Sequence, residues 1–242
     1  MDKVIAINGS PGSEKGNTAM LLKQFLEGME EAGAATEILY ASCLDIKPCS
    51  CGQMYCWYDS PGNCCIRDEM QDIYQKLRKA DILVLATPVY IPMPGKMQNI
   101  INRLCPLILP LLENHGGRTR ARFREDVKIR KMVLVATGGW WEKENFDILV
   151  HLVKELAENA SVEFAGSILR PHAFLMKKKG ELTGDGKTVL NEARKAGSDL
   201  IRDGVIGQEV LDRISQPLIL EEELRKRYNS LLNEHLPDDH QL

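Results

Sequence analysis

The chain has 242 residues, 44% of them hydrophobic and 27% charged, with a net charge of −3. That balance suits a globular domain with ample apolar material for a core, and it leaves no bulk-charge footprint for nucleic acid or a membrane surface. Met1-Asp2-Lys3 precedes too short an apolar run for a secretory signal, and no stretch reaches membrane-spanning length, so the chain reads as cytoplasmic. Its seven cysteines are then expected as thiols, metal ligands or redox groups rather than as a disulfide framework.

In chain order, Val4 to Asn8 is an apolar run without polar alternation, which suits a strand buried on both faces. Thr18 to Ala32 carries Leu21, Leu22, Phe25, Leu26 and Met29 on one helical face and stops at Gly33. Thr36 to Tyr40 reads as a second strand, 41–67 as a cysteine-rich loop and Asp68 to Lys79 as a helix. Asp81 to Ala86 is a third strand, followed by a helix from Lys96 to about Glu113 that Pro106 and Pro110 must kink or break. After a basic insertion at 113–130 come a strand at Lys131–Ala136, a helix at Asn145–Asn159, a strand at Val162–Leu169 and a helix at Gly186–Arg202. Strands alternating with helices imply an α/β fold, a doubly wound five-stranded parallel sheet for which the order 2-1-3-4-5 is expected. Residues 1–204 are read as one domain and 205–242 as a helical C-terminal tail.

Ligands of doubly wound folds sit beyond the carboxyl ends of the strands. Three turns would meet there, at 9–18, 87–94 and 137–142. The first joins a strand to a helix N-terminus, whose free N–H groups and dipole favour a phosphate. Ser10, Ser13 and Thr18 add hydroxyls, Asn17 an amide, and Gly9, Gly12 and Gly16 allow close backbone approach. The loop has neither the Gly-x-Gly-x-x-Gly pattern nor a Gly-Lys-Ser/Thr ending, so a monophosphate held mostly by neutral donors fits best.

The run Gly9-Ser10-Pro11 to Gly16-Asn17-Thr18 resembles the FMN phosphate loop of the NADPH-dependent FMN reductase and iron–sulfur flavoprotein family, a flavodoxin-like fold, over roughly residues 1–170. Thr87-Pro88-Val89-Tyr90 resembles the family's second flavin loop, Gln98 to Arg103 its following helix, and Thr137-Gly138-Gly139-Trp140-Trp141-Glu142 its third loop. The resemblance implies FMN as cofactor, contacted by Ser10, Gly12, Ser13, Gly16, Asn17, Thr18, Thr87, Pro88, Val89, Tyr90, Ile91, Thr137, Gly138, Gly139 and Trp140. Tyr90, Trp140 and Trp141 would stack on or flank the ring. It implies an FMN-dependent oxidoreductase that takes hydride from NAD(P)H and reduces a quinone, a flavin or another small acceptor. The alternative is an electron-transfer iron–sulfur flavoprotein serving a protein partner. No catalytic acid–base pair is expected, because the flavin carries the chemistry. Many relatives have Arg where Gly12 stands here, so Lys15 is the candidate to replace that charge.

The segment from Cys49 to Met70 resembles the family's cluster loop in its frame Cys56-Trp57, Pro61-Gly62-Asn63-Cys64 and Asp68-Glu69-Met70. The resemblance implies a 4Fe–4S cluster, but the spacing departs from the compact Cys-x2-Cys-x2-Cys run, with Ser50 and Gln53 at the positions six and three before Cys56. The candidate ligands are Cys49, Cys51, Cys56, Cys64 and Cys65. Plain thiols are favoured over a cluster, with another metal or a redox disulfide also open. Cys43 and Cys105 read as core residues. His115, His151, His172, His235 and His240 show no metal spacing and read as packing or surface residues. The basic residues of the insertion read as a site for the NADPH ribose phosphate, as a contact for a partner's acidic patch, or as a solvated loop partly neutralised by Glu125 and Asp126. The tail is read as a dimer arm over the neighbour's flavin, the alternative being an extra helix packed on its own domain, and a homodimer or dimer of dimers is expected.

Overall fold

A strand with no polar alternation must be covered on both faces. β1 (Lys3–Asn8), β3 (Ile82–Pro88) and β6 (Lys131–Thr137) are such strands, and almost every side chain in them is buried. In the computed structural model, which describes residues 1–52 and 54–233, they form the centre of a five-stranded parallel sheet. Its order is β2-β1-β3-β6-β7, where β2 is Ala35–Tyr40 and β7 is Glu163–Arg170. Two strands between β3 and β6 in the chain lie outside this sheet, so the parallel strands alone follow the expected order 2-1-3-4-5.

Side chains alternate across the sheet with the period of two that a strand imposes. Ile5, Ile7, Leu83, Leu85, Met132 and Leu134 pack on one side against α3 (Met70–Leu77), α4 (Gly95–Asn102) and α5 (Asp147–Asn159). Val4, Ala6, Ile82, Val84, Val133 and Val135 pack on the other against α1 (Asn17–Glu31) and α6 (Gly184–Arg202). The two helices of that second layer touch backbone to backbone: a Cβ on Gly28 would collide with Arg194 O, and one on Gly197 with Phe25 O.

The helix expected from Lys96 to Glu113 ends at Asn102. Pro106 lies in a short 3-10 turn, Cys105–Leu107, and Pro110 lies in a strand. Proline removes the helical N–H and clashes with the preceding turn, so the apolar run Ile108 to Leu112 goes into β4 (Ile108–His115) instead. β4 pairs antiparallel with β5 (Arg118–Phe123). Gly116 and Gly117, at φ of 59° and 80°, supply the two left-handed residues of the tight turn between them.

The basic insertion is therefore the second half of a hairpin. Arg118 reaches Glu155 and Glu158 on α5, Arg120 reaches Glu155, and Arg122 lies 3.7 Å from Glu113. Asp126 pairs with Arg78, so the expected neutralisation within the insertion is largely done by carboxylates elsewhere. After α6 the tail forms α7 (Gln208–Ser215) and α8 (Glu221–Asn233). Among the described residues no helix is long and apolar enough to cross a membrane.

Candidate functional site

The first loop leaves β1 at Asn8, whose Oδ1 accepts from Ser10 N–H at 2.9 Å and turns the chain. Ser10 Oγ accepts from Gly12 N–H at 3.2 Å, and Ser13 sits at a φ of 47°. The loop doubles back so closely that a Cβ on Gly12 would stand 3.1 Å from Gly16 Cα. Gly16 caps α1 without a side-chain hydrogen bond, and the first helical bond is Met20 N–H to Gly16 O, 3.1 Å. The N–H groups of the first turn, from Asn17 on, thus remain free for a ligand, as a phosphate site requires.

Three hydroxyls named from sequence are occupied inside the protein. Thr18 Oγ1 and Thr137 Oγ1 share a buried hydrogen bond of 2.7 Å, and Thr87 Oγ1 donates to Pro88 O. Thr18 and Thr137 thus join the first and third loops and Thr87 is bonded within the second, which leaves Ser10, Ser13 and Asn17 as the side-chain donors of the first loop. Lys15 is exposed on the 3-10 turn Ser13–Lys15, close enough in sequence to serve the same loop.

Between the second and third loops lies a cavity of about 980 Å³. Its walls include Val89, Tyr90, Ile91, Pro92, Gly138, Gly139 and Trp140, as the sequence predicts, and also Met93, Phe146 and Ile148. Phe146 fixes the third loop, since a Cβ on Gly138 would meet its ring at 2.9 Å. Val89 N–H donates to Thr137 O at 2.8 Å, tying the two walls together. Residues 9–18 do not line this cavity. They adjoin it through Thr137 and through Met97 of α4, against which Gly9 packs with no room for a Cβ.

Trp140 is 68% exposed at the rim. Trp141 points away from the cavity: its Nε1 donates to Ile219 O of the tail at 3.0 Å. Of the two indoles expected beside the ring, only Trp140 lines the larger cavity, because the tail engages the Trp141 side chain. Tyr228 of α8 was not singled out from sequence as a site residue. Its hydroxyl donates to Gly139 O at 3.3 Å, and its ring stands edge-on to Phe174 at 5.6 Å. The tail's apolar spacing signalled a helix but carried no information on what that helix covers.

A buried polar latch joins the tail to this loop. Arg170, at the end of β7, donates to Ile214 O at 2.5 Å, Gln216 O at 2.8 Å and Pro171 O at 2.7 Å. Burial pulls its pKa down to about 10, so it stays charged at neutral pH. His172 Nε2 accepts from Leu218 N–H at 3.0 Å and lies 3.0 Å from an Arg170 nitrogen. Nε2 must then be the unprotonated nitrogen, an assignment made from the hydrogen bonds. Burial, with the Arg170 charge beside it, pulls His172 down to about 4.

The cysteine-rich segment is held by a second buried arginine. Arg103 makes two hydrogen bonds to Asp68, of 2.8 and 3.0 Å, and donates to Lys47 O and Ile66 O. Burial pushes the Asp68 carboxyl up, but Arg103 and the N–H groups of Lys47 and Met70 outweigh it and hold it below its ordinary 3.8. Cys56, on the short helix α2 (Tyr55–Tyr58), and Cys64 are buried, whereas Cys49 and Cys65 are exposed and Cys51 is half-buried. Cys49 and Cys51 stand with sulfurs 3.9 Å apart. Burial pushes Cys56 up to about 12 and raises Cys49, Cys65 and Cys105, with neighbouring thiols adding to each shift.

Among the described residues no three or more Cys, His, Asp or Glu side chains are arranged to hold a metal. Cys43 is exposed beside Ser13 and Cys105 half-buried beneath Trp57, so neither is the core residue expected. Gln53, His235 and His240 lie outside the described residues.

A five-stranded parallel sheet with its loops gathered at one edge is the architecture of the flavodoxin-like FMN reductases. The chain belongs to the NADPH-dependent FMN reductase family, which it matches over residues 3–174. It is 34% identical over 106 residues to an iron–sulfur flavoprotein of Methanocaldococcus jannaschii, covering 43% of this chain and 53% of that protein. It is 33% identical over 103 residues to one of Methanosarcina thermophila, covering 42% and 51%. The matches thus span about half the length of these curated relatives. Among solved structures it is similar to an NAD(P)H:quinone oxidoreductase from Methanothermobacter marburgensis, at a TM-score of 0.58 and 18% identity over 82% of this chain and 96% of that one. It is also similar to an FMN-dependent NADH-azoreductase from Bacillus anthracis solved with FMN, at 0.55 and 13% over 85% and 100%. At those identities the likeness is one of fold.

Proposed function

We propose that this chain is an FMN-dependent oxidoreductase that accepts electrons from NAD(P)H and reduces a quinone, a flavin or another small acceptor. The observation that carries the reading is the convergence, where strand order reverses between β1 and β3, of an uncapped helix N-terminus with a largely apolar cavity. Ser10, Ser13, Asn17 and the first-turn N–H groups of α1 would hold the phosphate, with Gly12 and Gly16 giving backbone access and Lys15 adding charge. Thr18 and Thr137 would hold the first and third loops in register, and Thr87 would brace the second from within. Val89, Tyr90 and Ile91 on one wall, set by Pro88 before them, and Gly138, Gly139 and Trp140 on the other, would enclose the ring. Bound FMN supplies the redox chemistry, taking two electrons as hydride from the nicotinamide and passing two electrons to the acceptor.

The test is stoichiometric FMN in the purified protein, or its uptake, read from the visible spectrum. Absence of both removes the reading. Asn17→Asp places a negative charge at the phosphate. A unit charge repels another by about 1 kcal/mol at 4 Å in water, so FMN affinity should fall at least about fivefold by flavin-fluorescence titration. Unchanged affinity would move the phosphate elsewhere. The names of the curated relatives favour a second reading, an electron-transfer flavoprotein with an iron–sulfur centre; iron and sulfide analysis after anaerobic purification distinguishes the two. The proposed assembly is a homodimer, supported by the exposed apolar rim of the cavity, where Ile91 is 99% and Ile148 57% exposed. Sedimentation of the purified protein tests it.

A further inference from the structure

The family match stops at residue 174, yet the tail beyond it builds part of the loop region described above. α8 lies over the outer side of the third loop and encloses a second cavity of about 440 Å³ with it. Volumes of about 300–1,000 Å³ are those of small-molecule sites. Its walls are Trp140, Trp141, Leu224 and Tyr228, three of them aromatic. Each is fixed without a ligand, apart from the exposed Trp140: Trp141 by Ile219 O, Tyr228 by Gly139 O and Phe174, and Leu224 by burial. Glu221 and Arg225 at the rim pair with each other, and Glu142, which accepts from the neutral Asn145 amide, keeps its negative charge at the edge shared by the two cavities. Trp140 and Glu142 line both this cavity and the larger one. One molecule can therefore extend across Trp140 from the flavin cavity into the tail cavity.

We propose that the cavity between α8 and the third loop is an acceptor subsite, which binds an uncharged aromatic substituent of the electron acceptor while the acceptor's reducible ring lies in the larger cavity. This rests on the FMN-oxidoreductase reading and adds to it a substrate class: aryl-substituted, neutral quinone-type acceptors. The chemistry follows from the walls. Flat indole and phenol faces gain most from stacking or edge contact with another aromatic group, and a largely apolar chamber penalises an ionised one, an anion most of all beside Glu142. Tyr228 and Trp141 are specificity residues in this scheme, and α8 is the element that presents them.

The experiment compares two fully substituted quinones, which have no open ring position for a protein thiol to attack. One is tetramethyl-1,4-benzoquinone and the other 2,3,5-trimethyl-6-phenyl-1,4-benzoquinone. With FMN-saturated protein and NADH or NADPH, kcat/KM is expected to favour the phenyl compound at least fivefold. Tyr228→Ala removes a wall and Asn229→Phe fills the chamber from an exposed position on α8. Both should bring the ratio of the two kcat/KM values towards one, mainly through the KM of the phenyl compound. Saturable quenching of tryptophan fluorescence in FMN-free protein gives a readout without turnover. It should be tighter for the phenyl compound, and Asn229→Phe should abolish that advantage. If quenching shows the preference but neither quinone is reduced, the subsite stands and the oxidoreductase reading fails. If both are reduced with a ratio and a quenching that neither variant alters, the subsite is overturned while the oxidoreductase reading stands.

Discussion

Two segments that lie outside the sheet are each held by a buried arginine, and the two arginines are satisfied in different ways. Arg103 fastens the cysteine-rich loop through a carboxylate, Asp68, and two carbonyls. Arg170 fastens the tail through two of its carbonyls, Ile214 O and Gln216 O, and is further held by Pro171 O and the imidazole of His172, with no carboxylate among its partners. A buried ion pair is costly to assemble and more costly to break, because removal of one partner strands a charge. A buried arginine that rests on carbonyls and a neutral histidine is held by weaker acceptors and inherits the histidine's titration. The first arrangement should therefore fail only by mutation or strong acid, and the second by mild acid.

The largest expected effect is at the ion pair. Asp68→Ala leaves Arg103 buried without its counter-charge and should cost about 3–5 kcal/mol in urea denaturation. A loss under 1 kcal/mol would mean that the loop carbonyls suffice, and the contrast between the two arginines would disappear. Arg170→Met removes the other cation and strands carbonyls rather than a charge. A loss of about 1–3 kcal/mol is expected, with new protease cleavage between α6 and α8 and none in 41–67.

The most discriminating effect is one of pH. His172 is neutral in the fold, at about 4 against an ordinary 6.5. As pH falls below 6.5 the unfolded chain takes up a proton that the folded chain does not, so stability is full above 6.5 and declines towards pH 4, by up to about 3 kcal/mol. Protonation also removes the lone pair that accepts from Leu218 N–H. The tail should thus become protease-sensitive near pH 5. Asp68 is shifted the other way, below 3.8, so its stabilisation persists above 3.8 and is lost only as pH falls through its lowered value. The cysteine-rich loop should remain protected at pH 5. His172→Asn, which tolerates the left-handed φ of 38°, should flatten the pH dependence between 6.5 and 4. A slope that survives the substitution would assign it to another group.

Much of the site could be read along the chain because it is built from segments that are local in sequence. The glycines and hydroxyls of 9–18 precede an amphipathic helix, and the loops at 87–94 and 137–142 follow runs with no polar alternation. Those patterns fix a strand, a turn and a helix start wherever they occur. Within the loops, sequence named residue types but not their partners. Thr18 and Thr137 read as ligand hydroxyls, yet they bond each other across 119 positions of chain. Trp140 and Trp141 read as one aromatic pair beside the flavin, yet only Trp140 lines the larger cavity, and the two meet at the smaller one under the tail. The hairpin was missed because its apolar residues continue those of α4, and only the prolines marked the change.

By itself, the sequence determined the alternating α/β order, the central strands buried on both faces and the three loops at one sheet edge. Each of these follows from short-range periodicity and turn chemistry. Tertiary structure alone decided that the arginines of 118–122 answer to carboxylates of α5 and β4, that Arg103 and Arg170 hold two outlying segments, and that α8 closes a chamber over the third loop. Those outcomes depend on pairings between residues far apart in the chain. Charge and hydrogen-bonding capacity specify that a partner must exist, but only the packed fold specifies which one.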